Sequence, residues 1–433
     1  MLYIIADDLT GATDTGVQFS TKSYKTDVII YNENINNFDL NNINSDILVL
    51  DSETREVNKA TAQKRIKKLL NSINLKNNDI IYKKVDSTLR GNIGIELDEI
   101  IDNFNYELCI FSPSFIDNKR ITKNGDLIVE NKPLGETEYY EGNLTKNKAS
   151  YIPNILKEQS KNNVYVLDIE TLKEYNFNLT LIIEKLNLPD KTILIIDSTE
   201  ETHLKEIIEK SVKVNKKLFY AGSAGLANYL SLIYSKKSSK KDITFKKSKK
   251  LLIIAASRRK IIDKQLDIVK NDFKVVDYKI NIENILKNFD QNINNDLDNL
   301  KNIINTNNKI IIRPDPYFKN KKIINKLIEN YSISFRKLQI LIKNYISRLV
   351  KMILQLNSNF DLFITGGDTA AGVCNELEIN NLTIMDELLS GIPLSYTNTH
   401  NYGRLNIITK AGGFGQDDSI SKVINKLIKN RSC

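Results

Sequence analysis

Short apolar runs rich in β-branched residues alternate with stretches of helical periodicity along most of this chain. In the first half, strands are predicted over Leu2–Ala6, Asp27–Tyr31, Ile47–Leu50, Asp79–Lys83, Glu107–Phe111, Val164–Leu167, Thr192–Ile196 and Lys217–Tyr220. Helices are predicted between several of them, over Asn58–Leu70, Gly94–Phe104 and His203–Val212. Because strands that alternate with helices form βαβ units, the expected fold class is α/β, with mainly parallel sheets flanked by helices.

One segment interrupts this alternation. Asn124-Gly125 lies between two short apolar–polar runs within Arg120–Val129. That dipeptide supplies the positive φ angles of a type I′ turn, so a β-hairpin insertion is predicted here.

The chain has 433 residues, which is too long for one ordinary core, so two domains are expected. The segment 236–250 is rich in Lys and Ser and poor in apolar residues, which is typical of a linker. The predicted domains are therefore residues 1–235 and 251–433. The second domain is predicted to contain strands over Leu251–Ala255, Phe273–Tyr278 and Lys309–Arg313, and helices over Ile261–Val269 and Phe335–Leu356.

Two carboxylates, Asp7 and Asp8, directly follow the first predicted strand, and a helix is expected from Asp14 onward. An open parallel sheet binds its ligand at the carboxyl ends of its strands. Since buried carboxylates are costly unless they are paired or hydrogen-bonded, this pair predicts a site for a polyhydroxylated substrate or a metal-phosphate.

The segment Tyr82–Asn92 concentrates hydrogen-bonding side chains behind another strand. They are Lys83, Lys84, Asp86, Ser87, Thr88, Arg90 and Asn92. Such a set is typical of a site for a carboxylate and several hydroxyls, and Arg90 would grip the carboxylate in bidentate fashion. Capping of the following helix by Ser87 or Asn92 is the alternative, and it explains only part of the set.

In the second half, Phe360–Gly372 predicts a strand, a glycine turn and a helix beginning near Thr369. Gly366 and Gly367 let the backbone approach a ligand closely, and the N-terminus of a helix binds phosphate. Asp368 would either cap this helix or hold Mg²⁺.

A second glycine loop, Asn406–Gly415, repeats the arrangement in the same domain. Lys410 stands at its start. This lysine would either offset phosphate charge or be an ordinary surface lysine.

Several function classes have little support. Gly11–Gly16 has the glycine spacing of a Walker A motif, but Val17 stands where lysine is required, and no strand is followed by a GxGxxG motif. The two histidines, His203 and His400, have no cysteine cluster to join, so zinc and His-based triads are not expected.

The formal net charge of +9 comes from lysines spread over predicted helix surfaces, so a solvated surface is expected and nucleic acid is not an expected partner. No apolar run approaches the roughly 18 residues that span a bilayer, and the N-terminus does not resemble a secretory signal. The cysteines, Cys109, Cys374 and Cys433, form no CxxC pair. A cytoplasmic protein without a membrane partner is therefore expected.

Five segments, in order along nearly the whole chain, resemble the four-carbon acid sugar kinases, which phosphorylate threonate- and erythronate-type acids with ATP. They are Ile5–Gly16, Tyr82–Asn92, Gly222–Ala227, Gly366–Thr369 and Lys410–Gly415. The resemblance implies that the N-terminal half binds a four-carbon sugar acid and that the C-terminal half binds ATP. The implied reaction moves the γ-phosphoryl group to the terminal C4 hydroxyl.

The site residues follow from the motifs and the resemblance together. The expected substrate-binding residues are Asp7, Asp8, Arg55, Lys84, Asp86, Ser87 and Arg90. The expected nucleotide-binding residues are Ser257, Gly366, Gly367, Asp368, Thr369, Gly412 and Gly413. Asp8 and Asp86 are the candidates for the catalytic base, and Asp368 is the candidate Mg²⁺ ligand.

One departure from the family's pattern leaves alternatives open. The family usually has Gly-Ser-x-Ser after the first strand of its C-terminal domain, whereas this chain has Ala256-Ser257-Arg258-Arg259 and retains Gln265. Arg259 would add a phosphate contact, or this copy would bind nucleotide poorly. A non-catalytic or regulatory ligand-binding homologue, or a kinase for another small hydroxy acid, is the alternative. The sequence leaves the oligomeric state open; a homodimer is the option considered, because cytosolic metabolic enzymes are commonly symmetric dimers.

Overall fold

The computed structural model describes residues 1–32, 40, 43–140, 144–235, 250–257, 259–315 and 320–432. The chain divides into two compact units, Met1–Lys240 and Lys241–Cys433. Of the predicted linker, residues 236–249 lie outside the described residues, and Lys250 begins a strand.

The first unit contains both the parallel sheet and the hairpin. Its strands are β1 (Leu2–Ala6), β2 (Thr26–Ile29), β3 (Ile47–Asp51), β4 (Ile80–Lys84), β5 (Leu108–Ser112), β6 (Arg120–Lys123), β7 (Asp126–Val129), β8 (Lys132–Pro133), β9 (Asn163–Leu167), β10 (Thr192–Ile196) and β11 (Leu218–Gly222). Its helices are α1 (Leu9–Ser20), α2 (Lys59–Leu70), α3 (Ile93–Phe104), α4 (Lys146–Ala149), α5 (Ile152–Lys157), α6 (Ile169–Glu174), α7 (Leu179–Leu186), α8 (Glu201–Ser211) and α9 (Ala224–Ala227).

The main sheet of the first unit has the strand order β2-β3-β1-β4-β11-β5-β10-β9, and its strands pair in parallel. Every residue of β1, β3, β5 and β10 is buried. Strands of a parallel sheet that is covered on both faces are continuous apolar runs, which explains why they were recognisable in the sequence. The predicted α/β class is confirmed.

The predicted hairpin is also present. Strands β6 and β7 pair in antiparallel fashion, and Asn124 and Gly125 connect them with φ angles of 53° and 76°. These are the positive φ values that a type I′ turn requires. Strand β8 adds a third strand to this small sheet.

The second unit has its own core. Its strands are β12 (Lys250–Ala255), β13 (Val276–Ile280), β14 (Lys309–Pro314), β15 (Phe360–Thr365), β16 (Asn381–Leu389), β17 (Ile392–Thr399) and β18 (Gly403–Lys410). Its helices are α10 (Lys260–Asp272), α11 (Ile282–Lys287), α12 (Phe289–Thr306), α13 (Lys321–Asn330), α14 (Phe335–Leu356), α15 (Gly367–Glu376) and α16 (Ser419–Ser432).

Strands β13, β14, β12, β15 and β18 pair in parallel in that order, and β17 and β16 continue the sheet in antiparallel fashion. The antiparallel pair β16–β17 is not anticipated by the sequence analysis. Its register shifts twice, between Ile384 and Asp386 and between Glu387 and Leu389, so the apolar–polar alternation of β16 is broken.

One helix begins earlier than predicted. Helix α1 begins at Leu9 rather than Asp14, because Asp8 serves as its N-cap. Helix α14 has the predicted bounds; it buries Ile346, Val350 and Ile353 and leaves Leu356 exposed. It packs against both α12 and α15. Within the described ranges, no helix is both long enough and apolar enough to cross a membrane.

Candidate active site

The first group of predicted residues lies at the carboxyl ends of β1, β3 and β4. From β1 the chain passes through α1 to β2, which lies toward one edge of the sheet. From β4 it passes through α3 to β5, which lies toward the other edge. This is the switch point of the strand order, where open α/β sheets bind their ligands. We call Asp7, Asp8, Arg55, Lys84, Asp86 and Arg90 the aspartate cluster.

Arg55 connects the carboxylates of the aspartate cluster. Its Nε and Nη2 donate to Asp7 at 2.8 and 2.7 Å, and its Nη1 lies 2.7 Å from Asp8 Oδ2. Burial by itself raises the pKa of Asp7, but the adjacent Arg55 guanidinium outweighs it, so the pKa of Asp7 is lowered. The pair is therefore ionised, and burial of Asp7 is compensated by charge-assisted hydrogen bonds.

Asp8 has a structural role as well as a place in the cluster. Its Oδ1 accepts from the Gly11 N–H at 2.8 Å, and its Oδ2 accepts from the Thr10 hydroxyl at 2.7 Å. Asp8 thus caps helix α1 while it faces Arg55, which fixes the orientation of its carboxylate.

Asp86 is held mainly by Arg90. Arg90 Nε and Nη2 donate to the two Asp86 oxygens at 2.8 and 3.1 Å, and the Thr88 hydroxyl donates to Oδ2. Burial opposes ionisation, but Arg90 and then Arg55 hold the pKa of Asp86 well below its usual range. Both arginines that were expected to grip a substrate carboxylate are therefore already paired with aspartates.

The alternative that Ser87 or Asn92 caps the following helix is wrong. Asn92 occupies the N-cap position of α3 but makes no side-chain cap bond. Its Nδ2 instead donates to the carbonyls of Thr54 and Val57, which support the loop that carries Arg55. Ser87 is half-buried, and its hydroxyl has no partner among the residues that the structure describes.

Lys84 differs from the arginines. Its side chain is 5% exposed, yet Nζ has neither a hydrogen-bond acceptor nor a carboxylate within 4 Å in the described part of the chain. A Cβ placed on Gly11 would lie 3.2 Å from Lys84 Nζ, 2.7 Å from Asp8 Oδ1 and 3.6 Å from an Arg55 nitrogen. Lys84 therefore brings an unpaired ammonium into the aspartate cluster.

Two buried charged residues beside this cluster differ from the sequence analysis: Lys83, grouped there with the site residues, is turned away from it, and Asp51 was not singled out. Lys83, although next to Lys84, lies on the opposite side of β4 and forms a fully buried ion pair of 2.9 Å with Glu96. Asp51 ends β3 in register with Ala6, and its buried Oδ2 has no partner among the described residues. Burial raises the pKa of Asp51 well above its usual value, and Glu53 and Asp8 add to that effect. The position of Asp51 at a strand end was the one available signal.

The second group of predicted residues lies at the carboxyl ends of β12, β15 and β18. The parallel register places Ala255 beside Thr365, and Thr365 beside Lys410, so the three strands end together. The loops that follow therefore emerge at one edge of the sheet. We call Ser257, Gly366–Thr369 and Gly412–Gly413 the glycine-loop cluster.

The loops of the glycine-loop cluster approach one another closely. The Gly366 N–H donates to the Lys410 carbonyl at 2.8 Å, and Gly366 has a φ of 94°, which disfavours any residue with a Cβ. A Cβ on Gly412 would lie 2.4 Å from Ser257 Oγ, so any larger residue would force this hydroxyl to move. The structure thus brings Ser257 and both glycine loops together.

Asp368 does not cap its helix. Helix α15 begins at Gly367, Gly366 occupies the N-cap position, and Asp368 lies exposed in the first turn. Its carboxylate has no partner among the described residues. Thr369, the next residue, is buried with its hydroxyl directed toward Gly366. An exposed, unpaired carboxylate beside a glycine turn fits Mg²⁺, which keeps several waters and binds one or two carboxylates together with phosphates.

The altered segment after β12 also meets this cluster, although Arg258 lies outside the described residues. Arg259 occupies the N-cap position of α10, and a Cβ on Gly413 would lie 3.8 Å from the Arg259 side chain. Gln265, further along α10, is fully buried. The aliphatic part of the Arg259 side chain therefore lies beside the second glycine loop.

Lys410 is not a surface lysine. Its side chain is fully buried, and Nζ donates to the carbonyls of Ala411 and Phe414 at 2.9 and 2.8 Å. Burial lowers the pKa of Lys410 to about 7. The expectation that it is an ordinary surface residue is wrong, because the side chain folds back under its own loop.

Comparison with known proteins gives matches over nearly the whole chain. One family model, a sugar-binding N-terminal domain, matches residues 2–230, and a second, a nucleotide-binding C-terminal domain, matches residues 252–420. The D-threonate kinase of Salmonella typhimurium is 25% identical over 424 residues, which cover 97% of this chain and 96% of that protein. The D-erythronate kinase of Heliobacterium modesticaldum is 24% identical over 454 residues, which cover 98% of this chain and 96% of that protein. The 3-oxo-tetronate kinase of Escherichia coli is 26% identical over 47% of this chain and 52% of its own length.

Solved structures resemble the fold. A crystal structure of a Salmonella typhimurium LT2 protein aligns with a TM-score of 0.74 over 97% of this chain and 98% of its own. The structure of a Haemophilus influenzae protein aligns with a TM-score of 0.69 over 98% and 99%. Both are 19% identical to this chain, so they support the two-domain α/β architecture alone.

Proposed function

The chain belongs to the four-carbon acid sugar kinases, and from that premise we propose that it phosphorylates the terminal C4 hydroxyl of threonate, erythronate or 3-oxo-tetronate. At the coarser level it is a sugar acid kinase, a phosphotransferase that uses ATP and has an alcohol group as acceptor. The proposal assigns the sugar acid to the first unit and ATP to the second.

The observation that carries the substrate assignment is the unpaired ammonium of Lys84. The Lys84 ammonium interacts electrostatically with Asp7, but among the described residues it has no direct ion pair or hydrogen bond, and an anionic ligand would supply one. Arg55 also keeps unused donors, because a guanidinium has five N–H groups. We therefore place the substrate carboxylate at Lys84, with Arg55 beside it. Ser87 and the aspartates are left to bind the hydroxyls.

Catalysis in this proposal rests on positioning and charge neutralisation, as in other phosphoryl transfers. Asp8 and Asp86 remain the candidates for the base that accepts the proton of the attacking hydroxyl. The lowered pKa of Asp86 makes it a weak proton acceptor, which suits it to anchor Arg90 and the substrate.

For the nucleotide, we propose that the N–H groups of the two glycine loops and the N-terminus of α15 bind the phosphates. Ser257 and Thr369 would add hydroxyl contacts, and Arg259 would add a cation. Asp368 would hold Mg²⁺, which would offset the charge on the transferring phosphoryl group.

The test is a coupled ADP-release assay with Mg-ATP and a panel of D- and L-threonate, D- and L-erythronate and their 3-oxo forms. Phosphorus NMR of the product then locates the phosphate. ADP release that depends on one acid, with the phosphate on C4, is the expected result. ADP release with another small hydroxy acid would replace the proposed substrate, and phosphate on C2 or C3 would refute the C4 assignment. ATP binding without turnover on any acceptor would favour a regulatory role.

A further inference from the structure

The buried lysine at the end of β18 has no carboxylate partner. Lys410 Nζ donates only to the carbonyls of Ala411 and Phe414, and no carboxylate oxygen lies within 4 Å of it in the described ranges. A buried cation held by carbonyl dipoles alone is costly to the folded state. Packing alone therefore does not explain why a lysine occupies position 410.

A second buried side chain holds the same loop from helix α10. Gln265 Nε2 donates to the Phe414 carbonyl at 3.2 Å and to the Gln416 carbonyl at 2.8 Å. Lys410 and Gln265 therefore share the Phe414 carbonyl, and together they bind three carbonyls of the segment 411–416 from inside the second unit.

The N–H groups of this loop, unlike its carbonyls, are not bound by the described residues. In the part of the chain that the structure describes, the N–H groups of Gly412 and Gly413 have no acceptor. Gly412 lies against Ser257, and Gly413 lies against Arg259. The loop thus has its carbonyls bound inward and two N–H donors left for a ligand.

We propose that Lys410 and Gln265 are positioning residues of the nucleotide site, which hold the loop carbonyls so that the N–H groups of Gly412 and Gly413 face the ATP phosphates. This inference rests on the proposed function, in which the glycine-loop cluster binds ATP.

The inference separates the effect of Lys410 on binding from its effect on stability. In the Lys410→Met variant, a side chain of similar length loses both N–H bonds and the charge. We expect the Kd and KM for ATP to rise about tenfold or more, because the two hydrogen bonds to the carbonyls of Ala411 and Phe414 no longer order the loop. The KM for the sugar acid should stay within twofold. The urea midpoint should not fall, since the cost of burying an ammonium is removed.

Three further variants make the experiment decisive, with ATP binding measured by calorimetry. Lys337→Met, an exposed lysine on α14, is the matched control and should bind ATP normally. Gln265→Leu should weaken ATP binding less than Lys410→Met, because Lys410 still holds Phe414. Gly412→Ala should abolish binding, because its Cβ would overlap Ser257.

Each outcome has one meaning. Normal ATP affinity in Lys410→Met together with loss in Gly412→Ala overturns the inference and leaves the proposed function intact. Normal affinity in both variants removes ATP from this loop and overturns both. Lys410 is merely structural if Lys410→Met weakens the binding of the sugar acid and of ATP equally. It is also merely structural if the variant has a lower urea midpoint and an unchanged ATP affinity. If Lys410→Met does not fold, unchanged affinity in Gln265→Leu overturns the inference instead.

Discussion

At the scale of the residue, Lys84 is distinguished from its neighbours by what it does not contact. Arg55 and Arg90 are paired with aspartates, whereas the Lys84 ammonium has no partner among the described residues. We predict that Lys84→Met raises the KM for the sugar acid by about tenfold to a hundredfold, the loss of one charge-assisted contact, and leaves the KM for ATP within twofold. The surface variant Lys67→Met on α2 is the control. Unchanged KM for the acid would move the carboxylate away from Lys84.

The two candidate bases make a second prediction at this scale. Asp8→Asn and Asp86→Asn should each reduce kcat by about a hundredfold or more, because a carboxamide can neither accept the proton nor pair with arginine as a carboxylate does. Circular dichroism and thermal unfolding would show whether the fold is kept. Full activity in both variants would remove the aspartates from the mechanism.

At the scale of the element, strand β11 is closed in by its neighbours at Gly222. A Cβ at this position would lie 2.1 Å from the Ser112 carbonyl of β5. Gly222→Ala should therefore lower the free energy of unfolding by about 2 to 4 kcal/mol, as overpacking between strands does. Gly413→Ala is the matched control, because the nearest atom would lie 3.8 Å from its added Cβ. Its free energy of unfolding, measured by urea denaturation, should change little. Equal stability of both variants would contradict the packing of β11 against β5.

A buried acid helps to hold the hairpin against the main sheet, beside the backbone bridge between Thr122 and Ser198. Asp197, directly after β10, accepts from the N–H groups of Asn124 and Gly125 in the turn between β6 and β7. Burial raises the pKa of Asp197 to about 6, although the two N–H groups oppose the shift. Since this is above the unfolded value, the folded state binds the proton more tightly. The stabilisation is complete below about pH 4 and is lost as the pH rises through 6.

Asp197→Asn tests this dependence. The difference in unfolding free energy between the unmodified protein and the variant should fall by up to about 3 kcal/mol from pH 4 to pH 7. This is the free energy that corresponds to a pKa shift of about two units. Urea unfolding at the two pH values measures the difference, and Glu170→Gln, an exposed acid on α6, is the control. If the difference in unfolding free energy between the unmodified protein and Asp197→Asn is the same at pH 4 and pH 7, Asp197 is ionised over this range and the predicted pKa shift is wrong.

At the scale of the whole molecule, the proposed division of labour predicts separate ligand footprints. In hydrogen exchange, the sugar acid should protect segments of the first unit around Asp7–Thr13 and Lys84–Asn92. ATP should protect segments of the second unit around Gly366–Gly372 and Ala411–Gln416, because bound ligands slow local opening where they bind. Protection of the second unit by the acid alone would reverse the assignment. The homodimer stays a prediction, and light scattering would test it against the monomer mass of 49.5 kDa.

The sequence by itself determined the α/β class, the hairpin and the strand-end positions of both clusters. Each of these depends on local patterns: β-branched runs, helical periodicity, and glycines or carboxylates just after a strand. Each strand predicted from those patterns is present, with ends shifted by at most three residues. The start of α1 was misplaced, because Asp8 was taken for a site residue only and also caps the helix.

Only the tertiary structure decided which charges meet. Asp7 and Arg55 are 48 residues apart, and their pairing depends on the order β3-β1-β4, which no local pattern encodes. The same order leaves Lys84 unpaired and buries Lys83 against Glu96. The burial of Lys410 could not be predicted from the sequence, because its partners are carbonyls of its own loop. The position of those carbonyls depends on the backbone conformation and not on the residue types. Sequence periodicity reports which face of an element is buried, whereas contacts between elements depend on how the sheet is ordered.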